Sequence, residues 1–333
     1  MPCMALLLCM TIMKPNEAQP QAAPHSASIA WWNVENLFDT QPDSTLNEYS
    51  FTPLGEKCWT HRRLEHKLHG IFRTIAYMDA PDVVGLAEVE NATVLQHLVQ
   101  GTPLRQHHYQ FIHHDSPDRR GIDVALLYRA DRFCPLSATY VCNSDSASQF
   151  FTRDMMVVRG VTASSDTLLL LLCHWPSKLG GSRAAKHRMT IAKRLKCCID
   201  SLHTIYPSNA IVVMGDFNST IDEPPLQLLL SRTDTDSTPN KLQHLTANLP
   251  HDWGSYKYQG TWSYIDHMFM VADGSWQVSP PHLVRPPFLL KEEGSRPGVR
   301  PHRTFLGTRY EGGISDHLPL LIGIGKKEDA DKH

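Results

Sequence analysis

None of the short spacings that mark the commonest metal, nucleotide or nucleophile sites occurs in this chain. There is no Cys-x-x-Cys or His-x-x-x-His pair despite 8 Cys and 19 His, so structural zinc spacing is not met. A Gly-x-Ser-x-Gly elbow, a His-Glu-x-x-His pair and a Walker loop are also missing. That removes the usual signatures of serine hydrolases, zinc proteases and P-loop proteins. Charge of one sign is not massed: 32 Lys and Arg stand against 34 Asp and Glu, a formal net charge of −2. This balance disfavours a polybasic, sequence-independent nucleic-acid binder and leaves room for a local basic cleft. No stretch is apolar for long enough to span a bilayer, and no internal repeat or compositional break divides the 333 residues.

What is present suits one large α/β domain. With 41% hydrophobic residues the chain can bury a substantial core without disulfide or metal. Met4 to Met13 is a short apolar stretch, followed by a polar, Pro- and Ala-rich segment ending near Ser28. It resembles a signal peptide with a small-residue cleavage zone around Ala22-Ala23, although no Lys or Arg precedes it. The expectation is a leader over residues 1–28, removed on export to the periplasm or outside the cell. The alternative is a cytoplasmic protein whose N-terminus is not a signal. Residues 29–325 then form a single domain, and 326–333 a charged tail. Cys58, Cys134, Cys142, Cys173, Cys197 and Cys198 remain, too unevenly spaced for a disulfide framework.

Apolar patterning predicts a first strand over Ser28–Val34 and a helix carrying Leu64, Leu68, Ile71, Ile75 and Met78 on one face. A strand over Asp82–Val89 and a short helix ended by Gly101 follow. Further strands are expected at Tyr109–His113, Ile122–Tyr128, Ala138–Cys142, Met155–Val161 and Leu168–Cys173. Ser182 is read as the cap of a long helix carrying Ile191, Leu195, Ile199 and Leu202. Next come a strand at Ile211–Met214, turned by Gly215, a short helix at Pro225–Leu230, a strand over Gly260–Met270, an ordered surface loop over 279–304 and a last strand at Leu318–Ile324.

Polar groups of one chemical kind close these strands. Asp216 and Asn218 are two residues apart, so on an extended chain both reach one pocket; the bland reading is an Asx turn. Glu88 interrupts an otherwise apolar run, and a buried carboxylate needs a cation or several donors. Asn33, Glu35 and Glu88 offer only oxygen ligands, which suits Mg²⁺ or Mn²⁺ better than zinc. His317 needs a carboxylate from elsewhere in the chain, and Asp266, set in an apolar strand, is the natural candidate. His174 and Lys178 close another strand.

In this order the motifs Asn33-Val-Glu35-Asn, Gly85-Leu-Ala-Glu88, Gly121-Ile-Asp-Val-Ala-Leu-Leu-Tyr128, His174, Gly215-Asp-Phe-Asn218, Tyr264-Ile-Asp266-His and Ser315-Asp316-His317 resemble the endonuclease/exonuclease/phosphatase superfamily. The opening Trp32 to Asp39 and His174-Trp-Pro-Ser177 are similar to its bacterial, often exported branch, which usually carries Asn where Cys173 stands. The resemblance implies a four-layer α/β sandwich of two packed, mostly antiparallel sheets with helices on the outer faces. It implies Asn33 and Glu88 as Mg²⁺ ligands, aided by Asp316, with Glu35 a further candidate from the oxygen-only set above. Asp216 and Asn218 would position the attacking water. His317, steadied by Asp266, would stabilise the phosphoryl oxygens or act as base, and His174 would contact the phosphate or the leaving group. The expected activity is a metal-dependent phosphodiesterase of nuclease type, acting as a monomer on DNA or RNA. Alternatives are an inositol-phosphate phosphatase, a sphingomyelin-type lipid phosphodiesterase or, remotely, a non-enzymatic binding protein. Arg119, Arg120, Arg153, Lys178 and Arg183 are the candidate phosphate contacts.

Overall fold

Strand β1 (Ala27–Leu37) is apolar on both faces: Ile29 and Trp31 enter one core, Ala30, Trp32 and Val34 another. A strand sandwiched between two layers demands this pattern. The computed structural model describes residues 27–42, 49–146, 149–231, 242–294 and 297–327. β1 pairs in parallel with β2 (Val83–Val89), and the crossover between them carries α1 (His61–Tyr77). A parallel pair cannot be joined by a tight turn, which is why a helix intervenes. Helix α2 (Ala92–Gly101) and strands β3 (Tyr109–His113) and β4 (Asp123–Arg129) follow, antiparallel to their neighbours.

The second sheet repeats the device. Strands β5 (Phe133–Val141) and β6 (Met155–Thr162) lead to β7 (Thr167–His174), which pairs in parallel with β8 (Ala210–Asp216) across α3 (Gly181–Ile205). Helix α4 (Pro224–Leu230), β9 (Gln243–His244) and β10 (Asp266–Val271) complete this half. Then β11 (Trp276–Val278), β12 (His282–Leu283) and β13 (Leu320–Lys326) return to the first sheet. The orders are β11-β13-β1-β2-β4-β3, with β12 also on β13, and β5-β6-β7-β8-β10-β9.

Three apolar clusters separate four layers. Ile29, Trp31, Leu126, Leu170, Val212, Met214, Met268 and Ile322 fill the space between the sheets. Leu64, Leu68, Ile71 and Ile75 of α1 cover the first sheet, and Ile191, Leu195 and Ile199 of α3 cover the second. The expected four-layer sandwich is therefore the observed one, with β1–β2 and β7–β8 as its parallel pairs. The carboxyl ends of these four strands, and the amino ends of β10 and β13, open on the same edge.

Several boundaries differ from the sequence reading. β1 includes Ser28 as read but begins at Ala27 and runs on to Leu37; the Ser28 amide and hydroxyl both donate to Asp82 Oδ2 (2.8 and 3.1 Å), and β13 extends to Lys326. Most of the expected leader and tail, residues 1–26 and 328–333, lie outside the described residues. Gly180, not Ser182, caps α3, because a 3-10 turn over Lys178–Gly180 runs into the helix. Gly215 makes no turn; it is the sixth residue of β8, and a Cβ there would lie 2.6 Å from the carbonyl oxygen of Cys173. Gly260–Met270 is a hairpin, Tyr256–Tyr258 against Thr261–Ser263, followed by β10 beginning at Asp266. β5 starts at Phe133, five residues earlier than read. The 279–304 segment holds β12 and a small hairpin, Leu290–Glu292 against Val299–Pro301, and its Thr304 is buried.

Candidate active site

Two irregularities aim the acidic groups at this edge. Along β2, Val84 and Leu86 face the outer core and Ala87 the inner one, so regular alternation would send Glu88 back outward. Instead the register shifts between Ala87 and Val89, Glu88 takes φ +65°, and Val89 occupies the outer position. The bulge leaves Glu88 unpaired and turned toward the open edge. β1 shifts likewise between Asn33 and Leu37, with Glu35 and Asn36 at φ +52° and +50°. Asn218 is also left-handed, at φ +47°. Non-glycine residues in this region are uncommon and cluster where function requires them.

Around the edge the groups interlock. Asp216 Oδ1 accepts from the Asn218 amide (2.9 Å), and its Oδ2 accepts from Asn33 Nδ2 (3.0 Å). His174 Nε2 and His317 Nε2 approach the same Oδ2 at 3.6 and 3.9 Å. His317 Nδ1 donates to Asp266 Oδ2 at 2.7 Å, and Trp31 Nε1 donates to Asp266 Oδ1 at 2.9 Å. Asn218 Nδ2 donates to the Trp175 carbonyl (2.9 Å), which leaves its Oδ1 to face the pocket. Glu88 Oε2 accepts from the Asn36 amide at 2.8 Å, with Arg120 Nη2 3.4 Å away.

Burial and charge set the protonation states. Burial alone would lower His317, but Asp266, then Asp216 and Asp316, raise it to about 10. It is therefore an imidazolium at neutral pH. Burial, with Asp266 adding repulsion, pushes Asp216 up to about 7. His174 goes the other way: burial, then Arg153 and Arg120, hold it well below the ordinary histidine value, so it is neutral. Three groups of the same site are thus driven apart in basicity, as acid–base roles require.

The sequence matches the model of the Endonuclease/Exonuclease/phosphatase family over residues 28–326. The chain belongs to that family. A comparison with curated proteins finds no match. Among solved structures, an endonuclease/exonuclease/phosphatase family protein from Bacteroides thetaiotaomicron is similar at TM-score 0.57 and 16% identity, over 92% of this chain and 97% of that one. D. rerio TDP2 complexed with single-strand DNA product gives 0.55 and 17%, over 90% and 98%. A Bacteroides thetaiotaomicron mannosyl-6-phosphatase gives 0.54 and 16%, over 89% and 98%. At such identities the likeness is one of fold. Membership of the endonuclease/exonuclease/phosphatase family makes the chain a phosphoester hydrolase of a divalent-metal-dependent kind.

The residues present fit a hard divalent cation. Glu88 Oε1 is buried, and His174 Nε2 stands 3.9 Å off, beyond hydrogen-bond range. Together with Asn33 Oδ1, which accepts one bond from the Glu35 amide (2.9 Å) and keeps a second lone pair, it offers an oxygen-only donor pair of the kind such cations take. Asp216, Asp266 and His317 also place one ligand atom each within 4.8 Å of one another. In that trio, however, both Asp266 oxygens and the His317 Nδ1 are already engaged, so it reads as an orienting group rather than a cage.

Glu35 is not brought to the cation pocket. Its carboxylate oxygens accept from the Thr304 and Phe305 amides (2.8 and 3.1 Å), and burial raises it to about 8. Asp316 is paired with Arg303, and its Oδ1 lies 3.9 Å from His317 Nε2. Burial would raise Asp316, but His317 and Arg303 hold it below the usual carboxylate value. Cys173 packs in the α3-side core, on the opposite face of β7 from His174, so its replacement of Asn does not alter the pocket's hydrogen bonds. Sequence reasoning missed Lys67 of α1, a buried ammonium donating to the Glu35 carbonyl, Thr304 Oγ1 (2.6 Å) and the Ile314 carbonyl (2.8 Å). Its signal was a charge three residues after Leu64 and beside Leu68 in the apolar stripe. Of the candidate phosphate contacts, Arg153 is buried against Asp118 (2.8 Å) and Lys178 is paired with Glu223. Arg119 donates to the Gln149 carbonyl, and Arg183 is exposed.

Proposed function

We propose that the chain is a Mg²⁺- or Mn²⁺-dependent phosphodiesterase of nuclease type, cleaving P–O bonds by in-line attack of water. The observation that carries this is the convergence of Asp216, Asn218, His174 and the His317–Asp266 pair beside the oxygen donors Glu88 and Asn33. Glu88 and Asn33 would hold the divalent ion, which would supply positive charge against the negative charge of the phosphoryl group. Asp216, whose affinity for a proton is raised by burial, orients the water and takes its proton as the oxygen attacks phosphorus. The P–O bond to the leaving group breaks, and that oxygen is protonated from solvent. The His317 imidazolium, fixed by Asp266 and Trp31, faces the charge that builds on the phosphoryl oxygens. This favours the stabilising role for His317 over the base role. Neutral His174 donates to the same group, and the Asn218 carboxamide oxygen positions the water. Asp316, held by Arg303, stands 3.9 Å from His317 Nε2 and adds to the charge that keeps the ring protonated.

The test is a substrate panel run with and without chelator: plasmid DNA, RNA, bis-nitrophenyl phosphate, inositol polyphosphates and sphingomyelin. Chelator-sensitive cleavage of nucleic acid supports the reading. Hydrolysis of only an inositol phosphate or sphingomyelin replaces it with a phosphatase or lipid phosphodiesterase. No turnover with any cation leaves a binding protein on this scaffold.

A further inference from the structure

We infer that the cavity between the Phe150–Arg153 segment and the start of α3 is a nucleotide subsite. A phosphate flanking the cleaved ester would lie against Arg153 and the α3 N-terminus, and its base against Phe150 and Phe151. The inference rests on the phosphodiesterase reading above and locates the nucleotide that such an enzyme would hold beside the cleaved ester.

The cavity holds about 290 Å³, and its walls include Arg120, Phe150, Phe151, Arg153, Arg183 and His187. That is close to the lower end of small-molecule sites, roughly 300–1,000 Å³. No Asp or Glu lines it, although the chain has 34 of them. Such a wall favours an anion. Arg153 is the most telling member. Its side chain is 6% exposed, Nη1 donates to Asp118 Oδ2 (2.8 Å), Nη2 donates to the Trp175 carbonyl (3.0 Å), and Nε has no partner. An anionic oxygen in the cavity would supply the acceptor that this Nε lacks. Gly180 caps the 25-residue α3 with no side-chain bond, and Gly180 and Ala184 also line the cavity. The first-turn amides and helix dipole therefore favour negative charge at the same place.

Aromatic faces complete the set. Phe150 lies flat on His187, ring centres 3.6 Å apart and planes within 5°, and His187 Nε2 is buried without a partner. Phe151 carries the Arg119 guanidinium 5.2 Å over its ring. Stacked aromatics beside cations recognise base and phosphate together, whatever the base. A sugar phosphate or a lipid headgroup has no use for the rings. The cavity also adjoins the reaction centre. Arg120 forms part of its wall and stands 3.4 Å from Glu88, and the Trp175 carbonyl held by Arg153 also holds Asn218 Nδ2 at 2.9 Å.

The full chain is titrated in chelator with 5′-AMP, ribose 5-phosphate and inorganic phosphate, by calorimetry. KM and kcat are then measured with Mg²⁺ on a short single-stranded oligonucleotide and on methyl nitrophenyl phosphate. The variants are Phe150→Ala and Arg183→Ala, the second at an exposed position where folding is not at risk. AMP is expected to bind roughly tenfold more tightly than ribose 5-phosphate, a preference that Phe150→Ala removes. Arg183→Ala should weaken both phosphates alike. Each variant should raise the oligonucleotide KM several-fold and leave kcat and methyl nitrophenyl phosphate turnover near wild type. Equal affinity for AMP and ribose 5-phosphate overturns the subsite. So does oligonucleotide cleavage with unchanged KM in both variants, which would leave the phosphodiesterase reading standing. If the wild type cleaves no oligonucleotide, that reading falls, and the AMP titrations still decide the subsite.

Discussion

Asp266→Asn should move the alkaline limit of activity rather than merely lower the rate. His317 stands at about 10 in the folded protein against an ordinary 6.5, and Asp266 is the largest contributor to the rise. That difference corresponds to roughly 5 kcal/mol of preference for the imidazolium, an order-of-magnitude figure. Asparagine keeps the acceptor that Trp31 Nε1 uses, but it presents an NH₂ to His317 Nδ1. The ring must then accept at Nδ1 and lose its charge. Two carboxylates, Asp216 and Asp316, remain at 3.9 Å, opposed by burial, so His317 should fall toward the ordinary value of about 6.5. Wild-type kcat should therefore rise as Asp216 ionises, no higher than about 7, and hold until His317 deprotonates near 10. Near pH 6, where protonated Asp216 already limits both proteins, the variant should stay close to the wild-type rate at that pH, and it should fall far below wild type by pH 8. Stability carries the same sign. The folded value lies above the unfolded one, so the stabilisation is complete below about 6.5 and is lost as pH rises through about 10. A pH–kcat profile on a chromogenic phosphodiester, with an NMR titration of the histidine rings, reads both. Coincident alkaline limbs and an unmoved His317 resonance would refute the reasoning.

Glu88→Ala and Asn33→Ala are expected to raise the Mg²⁺ concentration needed for half-maximal rate while leaving the melting temperature near wild type; unchanged metal titrations in both would remove them as ligands. His317→Ala and Asp216→Asn should each cost about 10²-fold or more in kcat, and near-normal turnover of either would end its assigned role. Lys67→Met leaves the Glu35 and Ile314 carbonyls and Thr304 without their shared donor, so denaturant unfolding should show a loss of about 3–5 kcal/mol; an unmoved midpoint would show that the ammonium is not structurally required. Export is proposed as well: mass spectrometry of natively expressed protein should find a start beyond Ala22, and an intact Met1 or Pro2 would contradict it.

How far the sequence could be read depended on whether a position obeyed a regular period. That sheets pack with helices outside them was legible because β2, β7 and β8 are near-continuous apolar runs and α1 keeps an apolar stripe, whereas the four-layer sandwich itself came from the resemblance to the family. Glu88 was legible as an intruder in such a run, but not its direction, because the bulge that turns it depends on a positive φ that no Gly announces. The Tyr256–Ser263 hairpin was missed for a related reason. Gln259 and Gly260, at φ +49° and +88°, form a tight two-residue turn without the usual Asn or Asp in front. The bond between Trp31 and Asp266 joins residues 235 apart, and a local pattern cannot carry it. Ser182 was read as a cap on propensity alone, whereas the chain enters α3 through a 3-10 turn that ends one residue before the helix.

Chemistry and recognition are divided along the same physical line. Asn33, Glu88, His174, Asp216 and Asp266 stand on strands whose backbones are locked by neighbours on both sides, the rigidity that positioning a water requires. Arg119, Arg120, Arg153 and Arg183 belong to segments outside that ladder, where specificity can change without disturbing it. Arg153 links the two. Instead of a solvated cation it is a buried partner of Asp118 that also holds the Trp175 carbonyl, and that carbonyl fixes Asn218 beside Asp216. A change at Arg153 would thus reach the water-positioning group through two hydrogen bonds. Arg183 lies on the exposed first turn of α3, outside the pair of bonds that ties Arg153 to Asn218, so binding and turnover are expected to separate more readily there than at Arg153.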